Sequence, residues 1–369
     1  MAKKIIVISG VNLVVAGPLS VYLDYLDSII EDKLYEDYKI IILVGDRKLF
    51  EKYEKFMEIV EFPKARSNWL WRLYYEYIYF YFYSRKMDVY CWISMHDMTP
   101  NVKSKIRAVY CHNPSISLKM QANEIKYDKK TFLFSLFYKY LYRINIKKND
   151  YVIVQQNWLK ELFEKEFAIS NVISARPNLK VEVIEHSQSC GKQIDNKYRF
   201  VYAAFPRFFK NFEIICEACQ ILQRSEIKAF EVILTIDGTE NLYAKELVEK
   251  YEGNKAISFI GLQDRKKMFE IYGTSDCMIF PSRLETWGLP ITEFEQLNKP
   301  MIVINLPYAH ETVGTYEKVN FFENGDANML AHIMEEHING TVVYEGNFVD
   351  SQMYDCKSWS DLNKILLKR

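Results

Sequence analysis

The chain has 369 residues, enough for two domains of roughly 100 to 200 residues each. Hydrophobic residues make up 49% and charged residues 26%, with 48 Lys and Arg against 48 Asp and Glu, the composition of an ordinary globular protein with no nucleic-acid partner expected. No run of about 18 apolar residues occurs, so a membrane-spanning segment is excluded.

The charge balance hides an asymmetry. Residues 1–180 carry about 28 Lys and Arg against about 20 Asp and Glu, and the remainder reverses this. Residues 101–150 alone hold 11 basic side chains against 3 acidic ones, a patch that favours an anionic surface or ligand. Of the seven Cys, only Cys216 and Cys219 have a C-x-x-C spacing. They lie in the helical-looking FEIICEACQIL with no second pair to complete a zinc site, and read as a packed helix face. An odd number of Cys without a secretion signal points to reduced thiols in a cytoplasm. The six His include no H-E-x-x-H, and His332 and His337 fall on different helix faces, so no metal is expected.

KKIIVISG opens as a buried parallel-type strand from Lys3 to Ser9. The chain then turns through Gly10 to Pro18 before an amphipathic helix from Leu19 to Ile30. Gly10 and Gly17 do not make G-x-G-x-x-G, which counts against a nicotinamide oxidoreductase. Tyr38 to Gly45, Asp88 to Ser94 and Arg107 to His112 read as further strands. Between them Asn68 to Tyr83, NWLWRLYYEYIYFYFY, is apolar or aromatic on nearly every side, interrupted by Arg72 and Glu76; such a helix is expected to be buried. A second aromatic and basic run spans Lys129 to Lys148. Tyr and Trp also favour bilayer interfaces, so a rim against an anionic leaflet is the alternative to a core role.

His96-Asp97 and His112-Asn113-Pro114 each follow a strand at its carboxyl end, where α/β sheets place their ligands. Asp150 to Gln155 is another strand, followed by a helix from Asn157 to Phe167. HSQSCGKQIDNK, His186 to Lys197, has the composition of a linker. A second β–α series starts at Tyr198, with a short loop holding Arg207 and Lys210 and a helix from about Asn211. Phe230 to Gly238 and Ala256 to Ser282 continue it.

In Phe280 to Gln296, FPSRLETWGLPITEFEQ, a buried strand stops at Pro281 and two carboxylates, Glu285 and Glu293, flank a helix start. Gly288 allows φ > 0 or a close backbone approach, and Pro290 suits the first helical position. The N–H groups of Ile291 and Thr292 with the loop amides are a cradle for phosphate. Glu293 can accept from two neighbouring hydroxyls, as a ribose diol offers, and Glu285 is free for a second group. Lys299 to Gly314 reads as a strand and loop, Phe321 to Met334 as a strand edge and helix, and the tail to Leu367 as a final helix.

Pro281, Ser282, Glu285, Thr286, Trp287, Gly288, Leu289, Pro290 and Glu293 resemble the Glu, seven residues, Glu signature of retaining glycosyltransferases of family 4, with Thr286 where the family usually has Gly. The resemblance implies an α/β GT-B fold, two Rossmann-like β/α/β domains facing across a cleft. Residues 1–185 would be the acceptor-binding domain and 186–354 the nucleotide-sugar-binding domain, with 355–369 a helix crossing back to the first. It also implies roles. Arg207 and Lys210 clamp the donor diphosphate, Glu293 holds the ribose, and Glu285 with His112 positions the sugar. Gly288 and Leu289 line the donor, backbone groups near Leu262 read the base, and Ala16-Gly17 stands where the family has paired glycines beside the phosphates. The partners expected are a nucleotide-sugar donor, a saccharide or lipid-linked acceptor, and the anionic cytoplasmic face of a membrane, with no cofactor or metal. Bacterial surface polysaccharide assembly is the setting by analogy. A GT-B sugar-nucleotide epimerase and a non-catalytic nucleotide-sugar or carbohydrate binder are the alternatives.

Overall fold

The computed structural model describes residues 3–14, 16–118, 120, 124–175, 197–227, 229–349 and 354–368; the linker read at His186 to Lys197 falls, except for Lys197, outside them. The described residues within 1–117, 134–180 and 352–369 form one compact unit, and those within 118–133 and 181–351 another.

The first unit is built on seven parallel strands: β1 (Lys4–Gly10), β2 (Tyr38–Val44), β3 (Glu58–Glu61), β4 (Val89–Ser94), β5 (Ile106–Cys111), β6 (Tyr151–Val154) and β7 (Val172–Ser174). Their order is β3-β2-β1-β4-β5-β6-β7. A parallel sheet is covered on both faces, which is why KIIVISG and YKIIILV are apolar at successive positions. Val7 lies beside Ile41 and Trp92, Ser94 beside Val109, and Val109 beside Val152, so these side chains share one face of the sheet. Ile6, Ile8, Ile42 and Ile93 line the other face, under Tyr22, Tyr25 and Leu26 of α1 (Ala16–Glu31). A short turn of helix, α2 (Leu34–Asp37), leads into β2.

The Val7 and Val109 face carries α3 (Trp69–Tyr74), a π-helical turn (Tyr75–Tyr79), α4 (Phe80–Arg85), α5 (Lys129–Arg143) and α6 (Asn157–Phe167). The expectation of an all-round buried helix at Asn68 to Tyr83 is corrected here. Arg72, Glu76, Phe80 and Ser84 are its buried positions, Tyr75, Tyr79 and Tyr83 pack against the Phe62 ring, and Leu70, Trp71, Tyr74, Ile78 and Phe82 are exposed. Residues four apart drift by roughly 40° per step on a helix of 3.6 residues per turn. The wider π turn takes up that drift and keeps Arg72, Glu76, Phe80 and Ser84 in one inward line.

The second unit has β8 (Tyr198–Tyr202), β9 (Phe230–Leu234), β10 (Ile257–Phe259), β11 (Cys277–Phe280), β12 (Met301–Ile304) and β13 (Val319–Phe322). They are all parallel, in the order β10-β9-β8-β11-β12-β13. Its helices are α7 (Phe212–Arg224), α8 (Leu242–Tyr251), α9 (Arg265–Thr274), α10 (Leu289–Glu295), α11 (Pro307–Val313) and α12 (Ala327–Asn339). Cys216 and Cys219 are buried on α7 beside Ile215 and Leu222, as the packed-face reading has it. The last helix, α13 (Trp359–Leu367), packs on α1: the Trp359 indole N–H donates to Asp24 at 2.5 Å and the Tyr25 hydroxyl to Asn363 at 3.0 Å. Trp359 and Leu366 are fully buried there, and each such side chain contributes about 1.5–3 kcal/mol. Among the described residues no helix is long and apolar enough to cross a membrane.

Candidate functional site

In each sheet the strand order reverses once, between β1 and β4 in the first unit and between β8 and β11 in the second. Loops leave such a switch point in opposite directions and open a crevice at the carboxyl ends of the strands. In the second unit the two loops concerned are the ones that hold Arg207 with Lys210 and Glu285 with Gly288.

After β8 the chain runs extended to Arg207, makes a 3-10 turn at Phe208–Lys210, and enters α7 through Asn211 in the left-handed region (φ 59°). This turn aims Lys210 at the β11 loop, where its ammonium pairs with the Glu285 carboxylate. The sequence reading gave these two residues different parts of the donor, and the structure brings them together. Arg207 is exposed, its guanidinium over the Phe209 ring at 6.0 Å, and it makes no ion pair among the described residues.

The β11 loop is stitched on two sides. Asn211 donates to the Pro281 carbonyl at 3.3 Å, the Arg283 N–H to the Phe209 carbonyl at 2.7 Å, and the Arg283 guanidinium to the Phe208 carbonyl at 3.0 Å. From α11 the Tyr308 hydroxyl donates to the Ser282 carbonyl and the Thr312 hydroxyl to the Trp287 carbonyl. The Arg283 guanidinium also pairs with Glu124, both largely buried. Arg283 therefore binds the Lys210 turn to the Glu285 loop. The sequence reading passed over Arg283, although it lies inside the signature. It also passed over Glu124, which has no local signal, and α11, whose span it took for a loop.

Gly288 sits at φ 86°, a backbone conformation that favours glycine, and a Cβ there would press on Ile291 Cδ1 at 3.3 Å. The Ile291 N–H, expected to face phosphate, donates instead to the Gly288 carbonyl at 2.9 Å, because the helix start tightens at its first turn. Glu293 is mostly buried in α10 and faces the Arg265 guanidinium at 3.6 Å; burial raises its carboxyl pKa, and Arg265 opposes the rise. Leu289 and Leu262 are both exposed, and the turn before Leu262 is held by Gln263, whose amide donates to the Ile260 carbonyl at 2.6 Å.

In the first unit Gly17 lies in the first turn of α1 rather than in the preceding loop, exposed, with nothing within 4 Å of an added Cβ. At the end of β1, Gly10 leaves no room for a side chain, since a Cβ there would sit 2.3 Å from the Tyr22 ring. His112 follows β5 and is buried; its Nε2 meets the Met95 carbonyl at 2.7 Å, and burial lowers its pKa, keeping it neutral. The turn around it is organised by Asp97, itself at φ 71°. One Asp97 oxygen accepts from the N–H of His112 at 2.5 Å and of Asn113 at 3.1 Å and from the Tyr142 hydroxyl at 2.9 Å. The other accepts from Tyr138 at 3.0 Å. His96, after β4, is fully buried against Glu76 at 3.2 Å, and its carbonyl accepts from Arg72 at 2.8 Å. Among the described residues no three His, Cys, Asp or Glu side chains gather as a metal-ligand set.

Residues 185–344 match the family model described as glycosyl transferases group 1. No curated protein sequence matches the chain. Among solved structures it is similar to a sucrose-phosphate synthase of Thermosynechococcus elongatus, at 13% identity and a TM-score of 0.63 over 92% of this chain and 90% of that one. It is similar to HepE of Anabaena in complex with UDP-glucose, at 13% identity and a TM-score of 0.57 over 91% and 90%. It is also similar to the lipopolysaccharide outer core galactosyltransferase WaaB, at 10% identity and a TM-score of 0.62 over 99% of both chains. These likenesses show a shared α/β fold with two parallel sheets, that of GT-B glycosyltransferases.

Proposed function

We propose that the chain is a retaining glycosyltransferase. It moves a sugar from a nucleotide-diphosphate donor to a saccharide or lipid-linked acceptor in bacterial surface polysaccharide assembly, at the cytoplasmic face of the membrane. The observation that carries this reading is the ion pair of Lys210 with Glu285 at the β8 and β11 switch point, with Arg207 exposed on the same β8 loop. The match of residues 185–344 to group 1 glycosyl transferases and the UDP-glucose complex of the Anabaena neighbour support it.

In the reaction the bond from the sugar C1 to the diphosphate oxygen breaks and the acceptor oxygen bonds C1 on the same face. The acceptor proton passes to the departing phosphate. Negative charge grows on the leaving group, and preorganised cations stabilise it without solvent having to reorganise. Arg207 is placed to do so, and Lys210 turns part of its charge from Glu285 to the diphosphate. Glu285, so released, is left to accept from the sugar hydroxyls. Glu293 takes the ribose diol in exchange for its contact with Arg265, and Gly288 with Leu289 lets the backbone come close. The first unit's candidate for the sugar is His112, a neutral imidazole held at Nε2 by the Met95 carbonyl, its backbone N–H held by Asp97. No metal is needed for any of these steps.

The test is nucleotide release from UDP-, GDP- and dTDP-sugars by wild type and Glu285→Ala, with and without acceptor, and the anomeric configuration of the product by proton NMR coupling. Release by wild type, stimulated by acceptor and lost in Glu285→Ala, with retained configuration, is the expected result. Background release from every donor with both proteins would leave a binder, and donor converted to its epimer without acceptor would leave an epimerase.

A further inference from the structure

The aromatic helix of the first unit is packed inside out. Arg72 and Glu76 are buried, whereas Leu70, Trp71, Tyr74, Ile78 and Phe82 form the exposed side of α3, the π turn and α4. On the same face of the sheet α5 exposes Leu136, Phe137 and Tyr140, followed by Ile144. The two helical segments are joined by asparagines. Asn145, just past α5, donates to Asn101 at 3.0 Å, and Asn101 donates through its backbone N–H to the Glu76 carbonyl at 2.8 Å and through its amide to the Tyr77 carbonyl at 3.0 Å.

Charge says what this apolar surface fits. The Lys64 ammonium lies over the Trp71 ring at 5.1 Å, exposed Arg85 and Lys86 close α4, and exposed Lys147 and Lys148 follow α5. Lys139 and Arg143 are already held by Glu166, so they are not the free cations of this face. Rings with polar tips, aliphatic residues between them and lysines at the margin are the composition that settles at the headgroup level of a bilayer. Interfaces with a protein partner are instead depleted in lysine. We propose that the outward sides of α3, α4 and the α5 residues from 136 onward form one docking surface for an anionic phospholipid bilayer. The contact is peripheral, with the rings entering the headgroup region and Lys64, Arg85, Lys86, Lys147 and Lys148, which make no ion pair among the described residues, facing anionic lipid.

Flotation of the full chain with vesicles tests this without donor or acceptor, so its outcome is separate from that of the proposed transfer reaction. Wild type is expected to float with phosphatidylglycerol–phosphatidylcholine vesicles and to stay below with phosphatidylcholine alone, its Trp emission shifting to the blue on binding. Lys147→Gln with Lys148→Gln should lower the partition coefficient about fivefold per residue at low salt, and by less as salt rises. Trp71→Ser with Ile78→Ser and Phe82→Ser should bring it near background, with a melting curve confirming the fold; should that variant unfold, the lysine pair and wild type decide. Wild type left below with both vesicle types overturns the proposal, as does flotation indifferent to the lysine pair. So does a wild-type dimer, seen by sedimentation, that Trp71→Ser disperses while vesicles fail to bind it, since the face would then join two copies of the chain.

Discussion

The two sheets bring ionisable side chains to the same topological place, and burial gives them different chemistry. At the β8 and β11 ends Lys210 and Glu285 keep 18% and 16% of their side chains in solvent, and Arg207 stands clear. At the β4 end His96, with Glu76 of the π turn against it, has none on either side chain. Burial raises the Glu76 carboxyl to about 8 and lowers His96 well below its ordinary value, so this pair sheds charge inside the fold, while the other pair stays open to a ligand. Position at a strand end is therefore not sufficient to mark a charged binding group; access to solvent at that position separates these two pairs.

The largest expected effect breaks the second unit's side of this contrast. Arg207→Ala and Lys210→Ala should each lower turnover by roughly two to three powers of ten. Arg207→Ala should leave the melting temperature unchanged, since its side chain is exposed. A loss of turnover below tenfold in both would remove these cations from the reaction.

Next comes Arg283→Ala, which removes the largely buried ion pair with Glu124 and unties the Lys210 turn from the Glu285 loop. Truncating one partner of a largely buried pair costs about 3 kcal/mol, read from urea midpoints. Turnover measured well below the unfolding transition should fall as well, and Arg283→Lys, which keeps the charge but not the fork, should restore stability more than rate. Equal recovery of both would reduce Arg283 to a purely structural role.

The first unit's side is read by pH. Glu76 has a raised pKa in the fold, so the stability it allows is full below its unfolded value of 4.5 and is lost as pH climbs to about 8. His96 is lowered, so its contribution runs the other way, rising with pH up to its unfolded value of 6.5. The two oppose each other below 6.5, and Glu76 acts uncancelled from there to about 8. Over that window wild type should lose on the order of 1.4 kcal/mol per pH unit from this group, a slope that Glu76→Gln should abolish. Parallel profiles for the two proteins would show that Glu76 is ionised in the fold.

Much of this was legible in the sequence for a physical reason. Buried parallel strands are continuous apolar runs, so β1, β2, β4, β5, β6 and β11 stand out. β3, reading EIVE, is too short and too acidic to do so, and α11, reading PYAHETV, is only seven residues long, too short for its apolar period to stand out. The site residues were legible where they lie within one loop, as Glu285, Gly288 and Glu293 do. The pairing of Lys210 with Glu285 joins positions 75 apart, and that of Arg283 with Glu124 positions 159 apart, and no local pattern encodes either. That Arg72 and Glu76 mark the inward line of the aromatic helix, with Leu70, Ile78 and Phe82 outward, had no local sign, because their partner His96 comes from the end of β4.

The smallest effects concern the glycines of the same two switch points. Gly288 turns the β11 loop at φ 86°, and Gly288→Ala should cost about 1–2 kcal/mol for the left-handed backbone alone, with turnover reduced because Glu285 and Glu293 flank the turn. Gly17 has ordinary helical surroundings and open space around it, so Gly17→Ala should change stability by no more than about 0.5 kcal/mol and leave turnover unaltered. Thermal melts and initial rates on the two variants check both. A tenfold slower Gly17→Ala with an unchanged melt would support the donor-side role that the sequence gives Gly17, through a close backbone approach to phosphate that an added methyl obstructs.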